Sequence, residues 1–361
     1  MRGFLIRENR ILLLMREYIL GGAETQFRYL IEYAEQHGWK LDILIEHDLR
    51  NADLSVKEAS AGVKNVRFFE LNGSKGRGKI LDILSYIIKN LLLVKYNACL
   101  IYHPRDLVLA PFLRVLGIRC VYSERVDAAG ITGNPYYQKC LKYCSRILAN
   151  SEFAKRELER LTGRKVKLIK NGKPVVPMLV VKQDRQIRRI LVPARVAPPK
   201  NQMLPLFYLK CCPDFTGKII FAGLLEDRAY YGKLRQFVRK NGLQNKVEFL
   251  GYVEDMREEY NKADLILLPS FAEGTPNVVL EAYGYGRPVI VSDIEAERAV
   301  VPDPNLRFRL KDPREIDLCI AYIQEMSDEA YNKLIEKNRE TVITEYSIKK
   351  MAESFYKVLM D

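Results

Sequence analysis

Four side chains in this sequence have types and spacings that could act together: Arg195, Lys200, Glu273 and Glu281. Arg195 and Lys200 follow the apolar run Ile190–Pro193 and precede a helix expected from Asn201. An arginine fork and a lysine point charge beside a helix N-terminus form a clamp for a diphosphate. Taken by itself, such a pair is also an ordinary surface event. Glu273 stands just before a second helix start, where the amides of Asn277, Val278 and Val279 would point at an anion, and Glu281 lies one to two turns further on. Carboxylates are poor neighbours for phosphate but good acceptors for hydroxyl groups, on a sugar and on a ribose. The plain alternative is that Glu273 is solvated and Glu281 sits on an exposed helix face.

The elements that must position these groups are legible around them. Leu265–Leu268 is a short apolar run closed by Pro269 and Ser270, the pattern of a buried parallel strand. A loop, Phe271–Thr275, leads to Thr275 as a hydroxyl N-cap and Pro276 as the first helical residue, where a missing N–H costs nothing. Val278, Val279, Ala282 and Tyr283 are the expected buried face. Gly284 and Gly286 end the helix, and Pro288–Val291 is the next strand. This order puts the loop at the carboxyl edge of a parallel sheet, where open α/β folds bind ligands. At the other end of the chain, Ile11–Met15 reads as a strand and Gly21-Gly22 opens a helix to about Gln36. Those glycines allow backbone amides close to a ligand, or make only a tight turn.

At 361 residues the chain is long for one core, and two domains are expected. They are 1–171, a linker at 172–187 rich in proline and polar groups, 188–346, and a last helix from 347 to 361. No apolar run approaches the length that crosses a bilayer, and the charged start MRGFLIRENR has no signal-peptide core. Seven cysteines without a C-x-x-C fit reduced thiols in a cytoplasm. Of the net charge of +13, residues 1–180 carry nearly all, with 30 Lys and Arg against 18 Asp and Glu. That half suits an anionic surface, or is simply a solvated basic face. An apolar-basic helix from Ile80 to about Lys95, led by Lys75–Lys79, would let it rest on acidic lipid. Against nucleic acid, no nucleic-acid motif or aromatic interleaving appears.

Glu273 and Glu281, with the strand before them and the Pro-Ser, Gly-Thr-Pro and Gly-Arg-Pro-Val around them, resemble the E-x7-E signature of the family 4 retaining glycosyltransferases. Arg195 and Lys200 resemble that family's Gly-Arg-x4-Lys pattern, with Ala194 in place of the glycine. Ala149–Ser151 and Asn171-Gly172 resemble its markers near the end of the first domain. The resemblance implies an α/β GT-B fold, two Rossmann-like doubly wound domains facing across a cleft. It implies a metal-independent enzyme without cofactor that moves a sugar from a nucleotide diphosphate sugar, UDP- or GDP-linked, to an acceptor hydroxyl. Arg195, Lys200 and Glu273 would be catalytic, and Glu281 would hold the ribose. Gly274, Thr275, Pro276, Asn277 and Val278 would line the donor site, Gly21 and Gly22 would face the diphosphate, and Tyr252 and Val253 would meet the base. Many members carry a sugar-contacting histidine where this chain has Ser123-Glu-Arg-Val-Asp127, so Glu124, Arg125 and Asp127 are candidates for that contact, or are loop charges. A basic first domain favours a lipid-linked saccharide as acceptor, in cell-surface polysaccharide assembly, at the inner face of the plasma membrane. The alternatives are an inactive nucleotide-sugar-binding partner and a GT-B sugar-nucleotide epimerase.

Overall fold

A computed structural model describes residues 8–15, 22–46, 65–71, 77–91, 93–125, 128–177, 184–273 and 276–361. The chain divides into two units, Met1–Gly172 with Ile348–Asp361, and Lys173–Ser347. Residues 173–177 and 184–187, expected in a linker, therefore belong to the second unit.

The first unit is built on a parallel sheet of β1 (Glu8–Met15), β2 (Leu41–Glu46), β3 (Val66–Leu71), β4 (Val94–Ile101), β5 (Arg119–Glu124), β6 (Arg146–Ala149) and β7 (Lys167–Leu168). Their order is β3-β2-β1-β4-β5-β6-β7. The central strands are apolar on both faces because helices cover both, and Ile11–Met15 and Ala98–Ile101 are all buried. The helix Ile348–Met360 packs on this sheet's helix Gly22–Gln36, with Phe355 against Phe27 at 6.3 Å between ring centres. Arg119 ties it down by donating to Leu359 O at 2.6 Å.

The basic helix differs from its expected span. It runs Arg77–Asn90, and Lys95 lies on β4 instead. Val94, Lys95 and Tyr96 pair in register with Glu8, Asn9 and Arg10 of β1. Burial of Val94 and Tyr96 against the sheet overrides the helical spacing of the apolar residues. Lys75 lies outside the described residues.

The second unit has β8 (Arg189–Pro193), β9 (Lys218–Ala222), β10 (Val247–Gly251), β11 (Leu265–Leu268), β12 (Val289–Ser292) and β13 (Arg307–Phe308), ordered β10-β9-β8-β11-β12-β13. Leu265–Leu268 is buried throughout, as a strand inside a two-sided sheet requires. The order reverses direction at β8 and β11, so the loops leaving those two strands open side by side at the sheet's carboxyl edge.

Candidate functional site

The loops after β8 and β11 meet through both backbone and charge. Phe271 N–H donates to Pro199 O at 2.9 Å. Lys200 Nζ lies 2.6 Å from Glu273 Oε1, and Ser270 Oγ donates to the same oxygen at 2.7 Å. Ser292, at the end of β12, donates to Ser270 O at 2.6 Å and holds the β11 loop from the other side. Glu273 and Lys200 keep only 10% and 20% of their side-chain surface exposed, so the pair is well shielded from screening by water. Lys200 closes a 3-10 turn, Pro198–Lys200, and Asn201 then takes a left-handed conformation with φ of 51°. The following helix begins at Met203, not Asn201, because that reversal interrupts helical geometry.

Arg195 does not join the pair. Its guanidinium bonds Glu226 on the adjacent loop, and 57% of its side chain is exposed. Its backbone is fixed: Gln202 Nε2 donates to Arg195 O at 2.8 Å, and Val196 N–H donates to Leu224 O at 2.8 Å. The close pass of these loops requires Gly223, where a Cβ would come within 2.2 Å of Ala194 O.

The β11 loop reaches its helix one residue later than expected. Pro276 occupies the cap position and the helix runs Asn277–Gly284, so Thr275 is not adjacent to the first helical residue. Val279 N–H is then committed to Pro276 O at 3.0 Å and is not available to an anion. The buried face is Val279, Leu280, Ala282 and Tyr283, while Val278 is half-buried. Gly274 and Thr275 themselves lie outside the described residues.

Glu281 is partly exposed on its helix and pairs with a different lysine from Glu273's. Its Oε1 lies 2.6 Å from the buried Lys173 Nζ, and its Oε2 accepts from Tyr260 at 3.1 Å. Burial, then the charge of Glu281 and its hydrogen bond, push the Tyr260 hydroxyl well up, so it remains a donor. Tyr252 and Val253 follow β10 at the sheet's edge, two strands from β8; Tyr252 is exposed and Val253 half-buried.

In the first unit, Gly22 begins a helix, and Gly21 and Asp127 lie outside the described residues. Glu124 and Arg125 are both buried, which overturns the reading of either as a loop charge. Glu124 accepts from Tyr122 at 2.7 Å. Arg125 donates to Ile169 O at 3.2 Å and Asn171 Oδ1 at 2.5 Å, with its guanidinium near the rings of Phe355 and Phe27. Burial pulls it down to about 10, still charged at neutral pH. These partners tie Arg125 to the first unit's own framework.

Two residues at this site escaped the sequence reading. Lys173 stood unremarked beside Asn171-Gly172, and nothing in its neighbours marks it as Glu281's partner. Glu297 lies in the short helix Glu295–Arg298 after β12, yet it is fully buried. A charged residue amid short, otherwise polar helix sequence carries no local sign of burial.

Two family models match the chain: "Glycosyltransferase Family 4" over residues 20–174 and "Glycosyl transferases group 1" over 189–324. Among curated proteins, the UDP-Gal:alpha-D-GlcNAc-diphosphoundecaprenol alpha-1,3-galactosyltransferase of Escherichia coli is 26% identical over 178 residues, 46% of this chain and 44% of that protein. The O-antigen chain mannosyltransferase B of Escherichia coli is 33% identical over 104 residues, 28% of this chain and 26% of that protein. The curated relatives are matched over 15% to 54% of their own length. Among solved structures, Anabaena HepE in complex with UDP and glucose superposes with a TM-score of 0.78 at 17% identity, covering 97% of this chain and 99% of that one. At that identity the likeness concerns the fold, which is GT-B. With both matched regions in hand, the chain belongs to the family 4 type of GT-B glycosyltransferases.

Proposed function

We propose that this chain transfers a sugar from a nucleotide diphosphate sugar to an acceptor hydroxyl, with retention of anomeric configuration and without a metal ion. The observation that carries the reading is the Lys200–Glu273 pair at the carboxyl edge of β8 and β11. A cation and a hydroxyl acceptor held together at the point where strand order reverses suit a sugar joined to a diphosphate. When the bond from C1 to the phosphate oxygen breaks, negative charge develops on the leaving diphosphate. Lys200 meets that charge, and Arg195 adds to it on leaving Glu226, an electrostatic role that needs no metal. The acceptor oxygen bonds to C1 on the same face, and its proton passes to the departing phosphate oxygen. Glu273 holds sugar hydroxyls and Glu281 the ribose.

The acceptor we propose is a lipid-linked saccharide in cell-surface polysaccharide assembly; the galactosyltransferase relative is named for an alpha-D-GlcNAc-diphosphoundecaprenol acceptor, which supports the lipid link. UDP is the first nucleotide to test, because HepE was solved with it. No described helix is long and apolar enough to cross a membrane. We place the chain in the cytoplasm, in peripheral contact with anionic lipid at the plasma membrane. The exposed Leu81 and Ile88 on Arg77–Asn90, in the basic half of the chain, support that contact.

The test is a melting-temperature screen of UDP, GDP and their sugars, followed by transfer to polyprenyl-diphosphate-linked sugars with and without EDTA. Stabilisation by one nucleotide sugar, with EDTA-resistant transfer and a retained anomer, is expected. Donor binding without transfer would instead identify an inactive binding partner, and nucleotide release with acceptor omitted an epimerase.

A further inference from the structure

Glu297 is fully buried, and neither of its carboxyl oxygens has a hydrogen-bond partner among the described residues. The backbone around it is fully committed. Its N–H donates to Ile294 O at 3.1 Å, and its O accepts from Val301 at 2.7 Å and Val300 at 3.0 Å. Arg298 next to it is turned away onto Asp293, at 2.7 and 2.9 Å. The side chain is therefore held inside by a locked turn of chain that leaves β12 only five residues earlier, past Ser292 and its bond to Ser270. Leaving a buried carboxyl without a hydrogen-bond partner is destabilising, and proteins retain few of them without a use.

The surroundings indicate the use. Burial above all, then the negative charge of Glu273, push the Glu297 carboxyl well above its ordinary range, while Lys200 pulls the other way. Tyr283, on the helix behind, feels Glu297 in turn. A buried carboxyl without a partner favours its uncharged O–H form, and this one lies within electrostatic reach of Glu273, whose present partner is Lys200.

Given the transfer reaction above, on which this step rests, Lys200 must turn from Glu273 to the diphosphate when the donor binds. Glu273 then loses its counter-charge while it has to face the sugar. We propose that Glu297 is a positioning residue for Glu273, closing its carboxyl O–H onto the Glu273 carboxylate as the donor's diphosphate draws Lys200 away. The proton stays on Glu297, and no covalent bond changes. The sugar, more than the nucleotide, is what the arrangement secures.

The experiment compares binding of the nucleotide diphosphate sugar that most stabilises the wild type with binding of the same nucleotide diphosphate lacking its sugar. In Glu297→Leu the affinity added by the sugar should fall roughly ten- to hundredfold, the range for a lost bond to a charged group, with nucleotide affinity unchanged. Glu297→Gln, whose amide can still donate, should restore most of it. Glu273→Gln should lose the sugar's share too, and combining it with Glu297→Leu should lose little more, since the two act as one unit. A merely structural Glu297 predicts equal losses for sugar-bearing and bare nucleotide, no rescue by glutamine, or additive effects, and any of these overturns the proposal. Should the leucine variant not fold, Glu297→Ala repeats the comparison. If the wild type binds none of the nucleotides or their sugars, the transferase reading itself falls, an outcome distinct from failure of the Glu297 variants.

Discussion

The buried ammonium of Lys173 lies 2.6 Å from Glu281 Oε1, across 108 residues of sequence. The lysine side chain is 4% exposed and the glutamate 38%, so the cation depends on the carboxylate more than the reverse. Lys173 also donates its backbone N–H to Tyr346 O at 2.6 Å, next to the point where the chain returns to the first unit. The proposed ribose acceptor is in this way anchored to the start of its own unit.

Glu281→Ala strands that ammonium. Breaking a buried pair costs about 3–5 kcal/mol, and the half-exposed carboxylate places this one at the lower end, about 3 kcal/mol. Glu281→Gln keeps an oxygen for Lys173 and turns its NH2 toward the Tyr260 hydroxyl oxygen, so it should cost clearly less. Urea unfolding of the three proteins checks the order, and equal stability of alanine and glutamine variants would contradict it.

Lys200→Ala removes the cation assigned to the leaving diphosphate. Turnover should fall by about two to three orders of magnitude, the range for loss of one preorganised charge stabiliser. Near-normal turnover in the transfer assay would reject the assignment.

Arg195 has a present partner in Glu226, and both side chains are about half exposed. Such pairs contribute about 0.2–1 kcal/mol, so Glu226→Ala should barely alter stability. It should free Arg195 and tighten binding of the nucleotide diphosphate by roughly two- to fivefold at low salt. Unchanged or weaker binding by calorimetry would mean that Arg195 is not recruited.

Asp42 sits near the amino end of β2, fully buried between Arg10 at 2.7 Å, Arg67 at 2.6 Å and the Tyr96 hydroxyl at 2.6 Å. Burial pushes its carboxyl up, but the bonds from Arg67 and Tyr96 and the charges of Arg10 and Arg67 outweigh that and hold it below its ordinary value. A depressed folded-state value means stability that is present above the unfolded value, near about 3.9, and lost as pH falls through the folded one. Asp42→Asn should cost about 3 kcal/mol or more at neutral pH, because it leaves two guanidinium groups without their anion. The gap from wild type should shrink below about pH 4, as unfolding curves at several pH values would reveal. A gap constant with pH would remove the ion pairs as its cause.

The sequence by itself determined the strands, because a parallel strand covered on both faces must be a short run of apolar residues, and Ile11–Met15, Ile190–Pro193 and Leu265–Leu268 are such runs. It also placed Lys200 and Glu273 at strand ends, from which their meeting follows once β8 and β11 are neighbours. Local pattern did not carry the end of the helix Arg77–Asn90, which pairing of β4 with β1 decided. Nor did it carry the partners of charged side chains. Arg195 on Glu226, Lys173 on Glu281 and the burial of Arg125 and Glu297 depend on which distant loops approach, and on how much water they exclude. A residue's type states what it can bond; only the packed chain states what is within reach, and a carboxyl's charge follows from that environment.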